Sequence, residues 1–261
     1  MTDVQTDVVR WDRCGDGILR IELQRPPANA LGLPILEGIH AALDAADLAG
    51  DVSVVIISSG IPGFFAAGAD IKLMASVDAD GFERYGDALR AMIERVASAG
   101  RITIAAVEGV ALGGGLELAA ACTLRVAGRD ARFGVPEVKL GLIPGAAGTQ
   151  RLPRLIGRSH ALDLILTGRQ MKAEEAHAIG LVDRLVEPGS AFDEALAIAT
   201  TLRRSSHPAL LAAIRAVDAA GALPLAEGNA FERAEIRALF ETGEGREGIA
   251  AFLDKRRPDF A

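Results

Sequence analysis

Short strand-like segments alternate with helix-like segments over most of this chain. The pattern predicts strands at residues 18–24, 52–58 and 102–107, because each is a short apolar or alternating run bounded by Gly, Pro, Ser or charged residues. Residues 35–48 and 79–98 instead carry apolar side chains at the three- and four-residue spacing of an amphipathic helix. This alternation favours a mixed α/β core.

The pattern changes near residues 187–190. Beyond residue 159 most segments have helical periodicity, and the strand signal nearly vanishes. We therefore predict a core domain at residues 1–190 and a helical C-terminal region at residues 191–261. With 261 residues, 50% of them hydrophobic, the chain is long enough to bury a full core without disulfide bonds.

The charge balance and the cysteine content exclude several classes of protein. The chain has 28 Lys and Arg against 35 Asp and Glu, and this acidic balance argues against binding of nucleic acid. Cys14 and Cys122 are too few for a disulfide framework, so we expect a cytoplasmic protein. The N-terminal MTDVQTDVVRW lacks a basic segment followed by an apolar run, and no apolar run is long enough to span a membrane. We therefore expect neither a secretory signal nor a membrane partner.

Three consecutive glycines connect the strand at 102–107 to an alanine-rich helix in the segment VEGVALGGGLELAAAC. A helix that begins there presents free backbone N–H groups, and glycine leaves the approach to them open. Such a helix N-terminus is suited to bind an oxyanion. Glu117 lies one turn into the helix, where a carboxylate either serves that site or simply stabilises the helix dipole.

Two further segments contain candidate functional groups. In FFAAGADIKLM, a tight turn at Gly68 offers a backbone donor near Ala69, with Lys72 close by. The segment FGVPEVKLGLIPGAAGTQRLP is predicted to be a long loop that carries Glu137 among apolar residues. That carboxylate either faces solvent or is held with a raised pKa for proton transfer.

Competing signals are weaker. The segment TGEGREG has the GxGxxG spacing of a dinucleotide-binding loop, but it follows no strand, and Glu244 and Glu247 within it and Glu241 just before it would repel a pyrophosphate. We interpret it as a turn between two helices. The four histidines lack the spacing of metal ligands, and we expect no metal site.

Taken together, FAAGADIK, ALGGGLELA and FGVPEVKLGLIPGAAGTQRL resemble, in this order, the signature blocks of the crotonase, or enoyl-CoA hydratase/isomerase, family. RPPANAL near the start, AHAIGLVDRLV and the C-terminal EGIAAFLDKRRPDF match as well, so the resemblance covers nearly the whole chain. It implies an α/β fold built as a spiral of ββα turns, in which residues 1–190 bind the CoA ester and catalyse the reaction. It also implies that the C-terminal helices form a trimer and cover the active site.

The resemblance also implies roles for particular residues. The backbone N–H groups of Ala69 and Gly114 would form an oxyanion hole for the thioester carbonyl, and Glu117 and Glu137 would be the two catalytic carboxylates. Further contacts with the substrate and its CoA part are implied for Arg25, Ala28, Ala67, Asp70, Ile71, Lys72, Gly113, Pro136, Gly145 and Lys255. The acyl chain is expected near residues 73–89. CoA is part of the substrate, and no separate cofactor is implied.

The two carboxylates favour hydration among the reactions of this family. Water must lose a proton as it adds at C3 while C2 gains one, and a single side chain does not do both at once. We therefore expect an enoyl-CoA hydratase, a carbon–oxygen lyase that adds water reversibly and syn to a 2-enoyl-CoA. An enoyl-CoA isomerase, an acyl-CoA hydrolase and a non-catalytic binding module remain alternatives. The expected assembly is a homotrimer or a dimer of trimers.

Overall fold

The structure is a computed structural model that describes residues 7–260. The chain divides into two compact units, and the boundary lies between Ala197 and Ile198. No helix within residues 7–260 combines the length and the apolar character needed to cross a membrane.

Ten strands in the described part of the chain form two sheets. They are β1 (Val9–Gly15), β2 (Ile18–Leu23), β3 (Val54–Ser59), β4 (Phe64–Ala66), β5 (Ile102–Val107), β6 (Val110–Leu112), β7 (Leu124–Gly128), β8 (Arg132–Gly134), β9 (Gln170–Lys172) and β10 (Arg184–Val186). The larger sheet has the order β1-β2-β3-β5-β7-β10 and the smaller one the order β4-β6-β8-β9. The β1–β2 and β8–β9 pairs are antiparallel, and the other pairs are parallel.

Ten α-helices lie within residues 7–260. They are α1 (Leu33–Ala49), α2 (Ile71–Ser76), α3 (Ala79–Ala97), α4 (Gly114–Ala121), α5 (Gly148–Thr167), α6 (Ala173–Ala178), α7 (Ala191–Leu202), α8 (His207–Ala220), α9 (Leu225–Thr242) and α10 (Glu244–Leu253). The helices predicted at residues 35–48 and 79–98 are confirmed as α1 and α3. The turn predicted in TGEGREG is confirmed at Gly243, whose φ of 106° separates α9 from α10.

The strands follow a repeating path between the two sheets. β3, β5 and β7 add side by side to the larger sheet, and each is followed by a short strand of the smaller sheet, namely β4, β6 and β8. A helix follows each pair before the chain returns to the larger sheet. This repetition is the spiral of ββα turns that the sequence implies, and the fold prediction is confirmed.

The core lies between the sheets and the helices of the first unit. All six residues of β5 are buried, as expected for a parallel strand covered on both faces. Helix α4 packs so closely on β4 that a Cβ added at Gly115 would lie 2.1 Å from the carbonyl oxygen of Ala66. Glycine at position 115 therefore allows the helix after β6 to begin directly against β4.

Two predictions about the chain beyond β7 are partly wrong. Residues 170–172 and 184–186 are strands, although the sequence there gives almost no strand signal. Three-residue strands are too short for an alternating pattern, and these two are specified by pairing with β8 and β7. The predicted long loop around Glu137 includes the end of β8 and a 3-10 helix, Pro136–Leu140, which Gly141 ends with a φ of 74°.

The second unit is helical, and several of its large apolar side chains are exposed. Helices α8 and α9 are linked by an ion pair between Arg215 and Glu235 at 2.6 Å. The exposed large apolar residues of α9 and α10 are Leu225, Ile236, Phe240, Ile249, Phe252 and Leu253. Phe252 is 83% exposed, so this surface is unusually apolar for one facing water.

Candidate active site

The turn between β4 and α2 presents the backbone N–H of Ala69. Gly68 has a φ of 104°, and a Cβ there would lie 3.1 Å from the carbonyl oxygen of Leu112. The turn predicted at Gly68 therefore has a positive φ that glycine readily adopts. Asp70 then caps α2 by accepting a hydrogen bond from the Leu73 N–H at 3.2 Å.

The first residue of α4, Gly114, lies next to this turn. A Cβ added to Gly114 would be 3.6 Å from the backbone nitrogen of Ala69. Within residues 7–260, neither the Ala69 N–H nor the Gly114 N–H donates a hydrogen bond to a protein acceptor. The Gly114 group also lies at the N-terminal, positive end of a helix. The fold thus brings together two free donors that are suited to a developing negative charge on oxygen.

Glu117 is buried beside these donors and is held by backbone groups. Glu117 is only 2% exposed. Oε1 accepts hydrogen bonds from the N–H of Ala146 at 2.8 Å and of Gly148 at 2.7 Å. Burial raises the pKa of Glu117 overall, and these two bonds, which favour the charged form, offset only part of that rise.

Glu137 lies on the 3-10 helix after β8 and faces α4. A Cβ at Gly113 would be 2.7 Å from Oε1 of Glu137, so this carboxylate packs against the glycine that precedes α4. Oε2 is buried without a hydrogen-bond partner among the described residues. Burial, together with the negative charge of Glu117, raises the pKa of Glu137 to about 7, although a backbone hydrogen bond acts in the opposite direction.

The geometry therefore places two carboxylates with different surroundings at one site. Glu117 is held by two N–H donors, which favour its charged form, whereas Glu137 lacks such donors at Oε2. An unpartnered buried carboxylate oxygen is a group that a proton or a ligand would satisfy. Such a pair can share one proton near neutral pH and act as base and acid.

The residues implied as substrate or CoA contacts have several environments. Ala28 and Ala67 are adjacent, because the Ala67 N–H donates to the Ala28 carbonyl at 2.9 Å. The Arg25 guanidinium pairs with Asp70 at 2.7 Å and also donates to the Ala30 carbonyl, so it supports the turn at residues 67–70.

The other implied contact residues lie in four separate parts of the chain. Ile71 and Lys72 are exposed in the first turn of α2. Pro136 begins the 3-10 helix, and the Gly145 carbonyl accepts a hydrogen bond from Arg90 at 3.2 Å. Lys255 belongs to the second unit, where it is exposed after α10 and has a φ of 54°.

Three kinds of support for this site lie outside the sequence predictions. The first is the pair of N–H groups, of Ala146 and Gly148, that hold Glu117. The second is Asn29, which is fully buried and donates to Ser59 at 2.7 Å and to the Phe65 carbonyl at 3.0 Å. The third is the hydroxyl of Tyr85. Tyr85 is predicted only as a member of the apolar face of α3. A signal for Tyr85 is present, since it is the one tyrosine in the sequence.

A spiral of ββα turns with two carboxylates beside two free backbone donors is an arrangement suited to proton transfer next to an oxyanion. The family model described as enoyl-CoA hydratase/isomerase matches residues 13–261. The chain therefore belongs to the enoyl-CoA hydratase/isomerase family.

Individual relatives agree with this assignment. The chain is 46% identical over 242 residues to a Rhizobium meliloti (strain 1021) protein named "Probable enoyl-CoA hydratase", covering 92% of this chain and 93% of the relative. It is 39% identical to the mitochondrial methylglutaconyl-CoA hydratase of Mus musculus, covering 89% of this chain and 75% of that protein. The crystal structure of an enoyl-CoA hydratase from Bacillus anthracis superposes with a TM-score of 0.92 at 34% identity, covering 97% and 98% of the two chains.

Proposed function

We propose that this chain is an enoyl-CoA hydratase that adds water reversibly and syn across the 2,3 double bond of a 2-enoyl-CoA to give a 3-hydroxyacyl-CoA. The observation that carries the proposal is the pair of carboxylates, Glu117 and Glu137, beside the free N–H groups of Ala69 and Gly114. Relatives named as hydratases support the same reaction.

In the hydration direction, Glu117 takes a proton from a water molecule whose oxygen bonds to C3. Its charged form is favoured by the bonds from Ala146 and Gly148, which suits a base. Glu137 gives a proton to C2, and a pKa of about 7 keeps that proton available near neutral pH. The two carboxylates exchange these roles during dehydration.

The free backbone donors stabilise the charge that develops between these proton transfers. Electrons from the double bond move onto the thioester oxygen, which accepts hydrogen bonds from the N–H groups of Ala69 and Gly114. Each donor contributes on the order of 3 kcal/mol in comparable oxyanion holes. The proposed reaction uses only proton transfer and carbonyl polarisation, and it therefore includes no metal ion and no redox cofactor.

The proposal extends to the rest of the substrate, the assembly and the compartment. Lys72, Arg25 and Lys255 are assigned as cations that contact the CoA phosphates, and the acyl chain is assigned to the side of α2 and α3 at residues 73–89. We assign a homotrimer or a dimer of trimers, built on the exposed apolar residues of α9 and α10. The proposed location is the cytoplasm.

Incubation with crotonyl-CoA tests the proposal, because hydration removes the absorbance of the conjugated thioester. The expected result is loss of this absorbance without release of a free thiol. Thiol release would identify an acyl-CoA hydrolase, and formation of a 3-enoyl ester would identify an isomerase. Binding of acyl-CoA with no turnover of enoyl esters of several chain lengths would contradict an enzymatic role.

A further inference from the structure

The Ala69 donor belongs to a peptide group whose other end is held by Leu31. The Leu31 N–H donates to the carbonyl oxygen of Gly68 at 2.8 Å. Gly68 and Ala69 are joined by a trans peptide, in which the C=O and the N–H point in opposite directions. The bond from Leu31 therefore directs the Ala69 N–H away from Leu31, and the position of Leu31 sets the direction of the donor.

The hydroxyl of Tyr85 connects the two chain segments on either side of this peptide. It donates a hydrogen bond to the Leu31 carbonyl at 2.6 Å and accepts one from the Asp70 N–H at 2.9 Å. Tyr85 is 5% exposed. Burial raises its pKa, so the hydroxyl keeps the proton that it donates. One buried group thus holds both Leu31 and the residue that follows Ala69.

Helix α3 also packs near Gly114, which carries the second donor of the proposed oxyanion hole. Leu89 lies one turn after Tyr85 on the same face of the helix. A Cβ at Gly114 would be 3.6 Å from Cδ2 of Leu89 and 3.3 Å from Cδ1 of Leu31. The same helix face therefore reaches the Ala69 turn through Tyr85 and the start of α4 through Leu89.

We propose that Tyr85 is a positioning residue of the oxyanion hole: its hydroxyl fixes the Ala69 N–H relative to the Gly114 N–H without touching the substrate. This inference rests on the proposed function, since it concerns the same site. The Tyr85 hydroxyl holds Leu31, which bonds to the Gly68 carbonyl, and it also holds Asp70, which follows Ala69. The peptide that carries the donor is therefore restrained on both sides.

The variant Tyr85→Phe tests the proposal because it keeps the ring and removes both hydrogen bonds. A small displacement of a catalytic donor lowers the rate steeply, so we expect kcat for crotonyl-CoA to fall roughly 10- to 100-fold. KM should change less than about threefold, because the donor acts mainly in the transition state. A kcat within about twofold of the wild type would overturn the proposal.

Thr103→Val is the matched control. Thr103 carries a buried hydroxyl that accepts the Thr123 N–H at 3.0 Å, at the start of β5 and outside the proposed site. It should lower stability as Tyr85→Phe does while leaving kcat unchanged. An equal fall of kcat in both variants would mean that lost stability, rather than donor position, explains the effect.

A spectroscopic measurement separates this inference from the hydratase proposal. Hydrogen bonds to a carbonyl lower its stretching frequency, so the infrared band of a ¹³C-labelled thioester carbonyl in bound butyryl-CoA reports on the hole directly. We expect a smaller shift in Tyr85→Phe than in the wild type, and an equal shift would overturn the role of Tyr85. If the wild type did not hydrate crotonyl-CoA, the proposed function would fail, whereas the infrared comparison would still test Tyr85.

Because Tyr85 is the one tyrosine in the chain, it can also be altered without mutation. Growth on 3-fluorotyrosine changes this position and retains the hydroxyl, so kcat should stay within about threefold of the wild type. Replacement by 3,5-difluorotyrosine makes the hydroxyl a weaker acceptor for the Asp70 N–H and a stronger donor to the Leu31 carbonyl, so it alters both bonds and should change kcat at constant KM. This comparison decides the matter if Tyr85→Phe does not fold, since an unchanged kcat in the difluoro protein would overturn the proposal.

Discussion

Oε1 of Glu117 accepts hydrogen bonds from two backbone N–H groups, whereas Oε2 of Glu137 is buried with no partner within the described chain. The two carboxylates therefore differ in how strongly the protein favours their charged forms. This difference underlies the assignment of Glu117 as the base that activates water and of Glu137 as the group that exchanges the proton at C2.

Replacement of either carboxylate by its amide should abolish most hydration. Glu117→Gln and Glu137→Gln keep the shape of the side chain but cannot transfer the proton, so we expect kcat to fall by about 10²- to 10⁴-fold. Affinity for a saturated acyl-CoA, measured by calorimetry, should stay close to that of the wild type. Near-wild-type turnover in either variant would refute a mechanism with two carboxylates.

The pH profile should follow a single proton on the carboxylate pair. The active form holds one proton, so kcat/KM should fall as the pH rises through about 7, where Glu137 loses its proton. Hydration releases no net proton, and dehydration should therefore have the same profile. Initial rates in both directions between about pH 5 and pH 9 test this. A flat alkaline limb would contradict the role of Glu137.

Gly148→Ala should displace Glu117. An added Cβ would lie 2.8 Å from Oε1 of Glu117 and 2.9 Å from Cβ of Pro144, so either the carboxylate or the loop must move. We expect a fall in kcat of at least about tenfold. Gly228→Ala in α9 is the control, since its Cβ meets nothing within 4 Å and alanine favours a helix. Equal activity in the two variants would show that the contact with Gly148 is not required.

Much of this site is predictable from the sequence, because its donors and acids lie in short glycine-containing segments next to strands. Gly68, Gly114 and Glu117 can be placed in this way. The support for Glu117 is not predictable, since the N–H groups of Ala146 and Gly148 come from a distant loop with no pattern of its own. Tyr85 is missed for a related reason: the periodicity of α3 identifies a buried face but not the hydrogen bonds of one hydroxyl on it.

Gly114→Pro should be inactive even if it folds. Proline removes the N–H that is proposed to face the thioester oxygen, and it adds atoms at a position where even a Cβ would come within 3.3 Å of Leu31. Gly114→Ala keeps the donor and should be milder. Steady-state kinetics with crotonyl-CoA, together with circular dichroism to confirm folding, compares the two. Equal losses would assign the effect to occupied space rather than to the missing donor.

Removal of residues from 224 onward should lower the oligomeric state and the affinity for CoA esters together. The deleted segment includes the exposed apolar residues of α9 and α10 and also Lys255. Lys255→Ala should weaken CoA binding alone, and by less at high salt, because salt screens its attraction to phosphate. Light scattering on the truncated chain measures the first effect. An intact trimer would show that these helices do not assemble the protein.

An enoyl-CoA hydratase adds the oxygen of water to C3 of a 2-enoyl-CoA and leaves the thioester intact. Mass spectrometry of the products formed from crotonyl-CoA in ¹⁸O-labelled water distinguishes this reaction from the alternatives. We expect 3-hydroxybutyryl-CoA that carries one ¹⁸O atom in its C3 hydroxyl group. Label in a free carboxylic acid, or an unlabelled CoA ester as the only product, would contradict it.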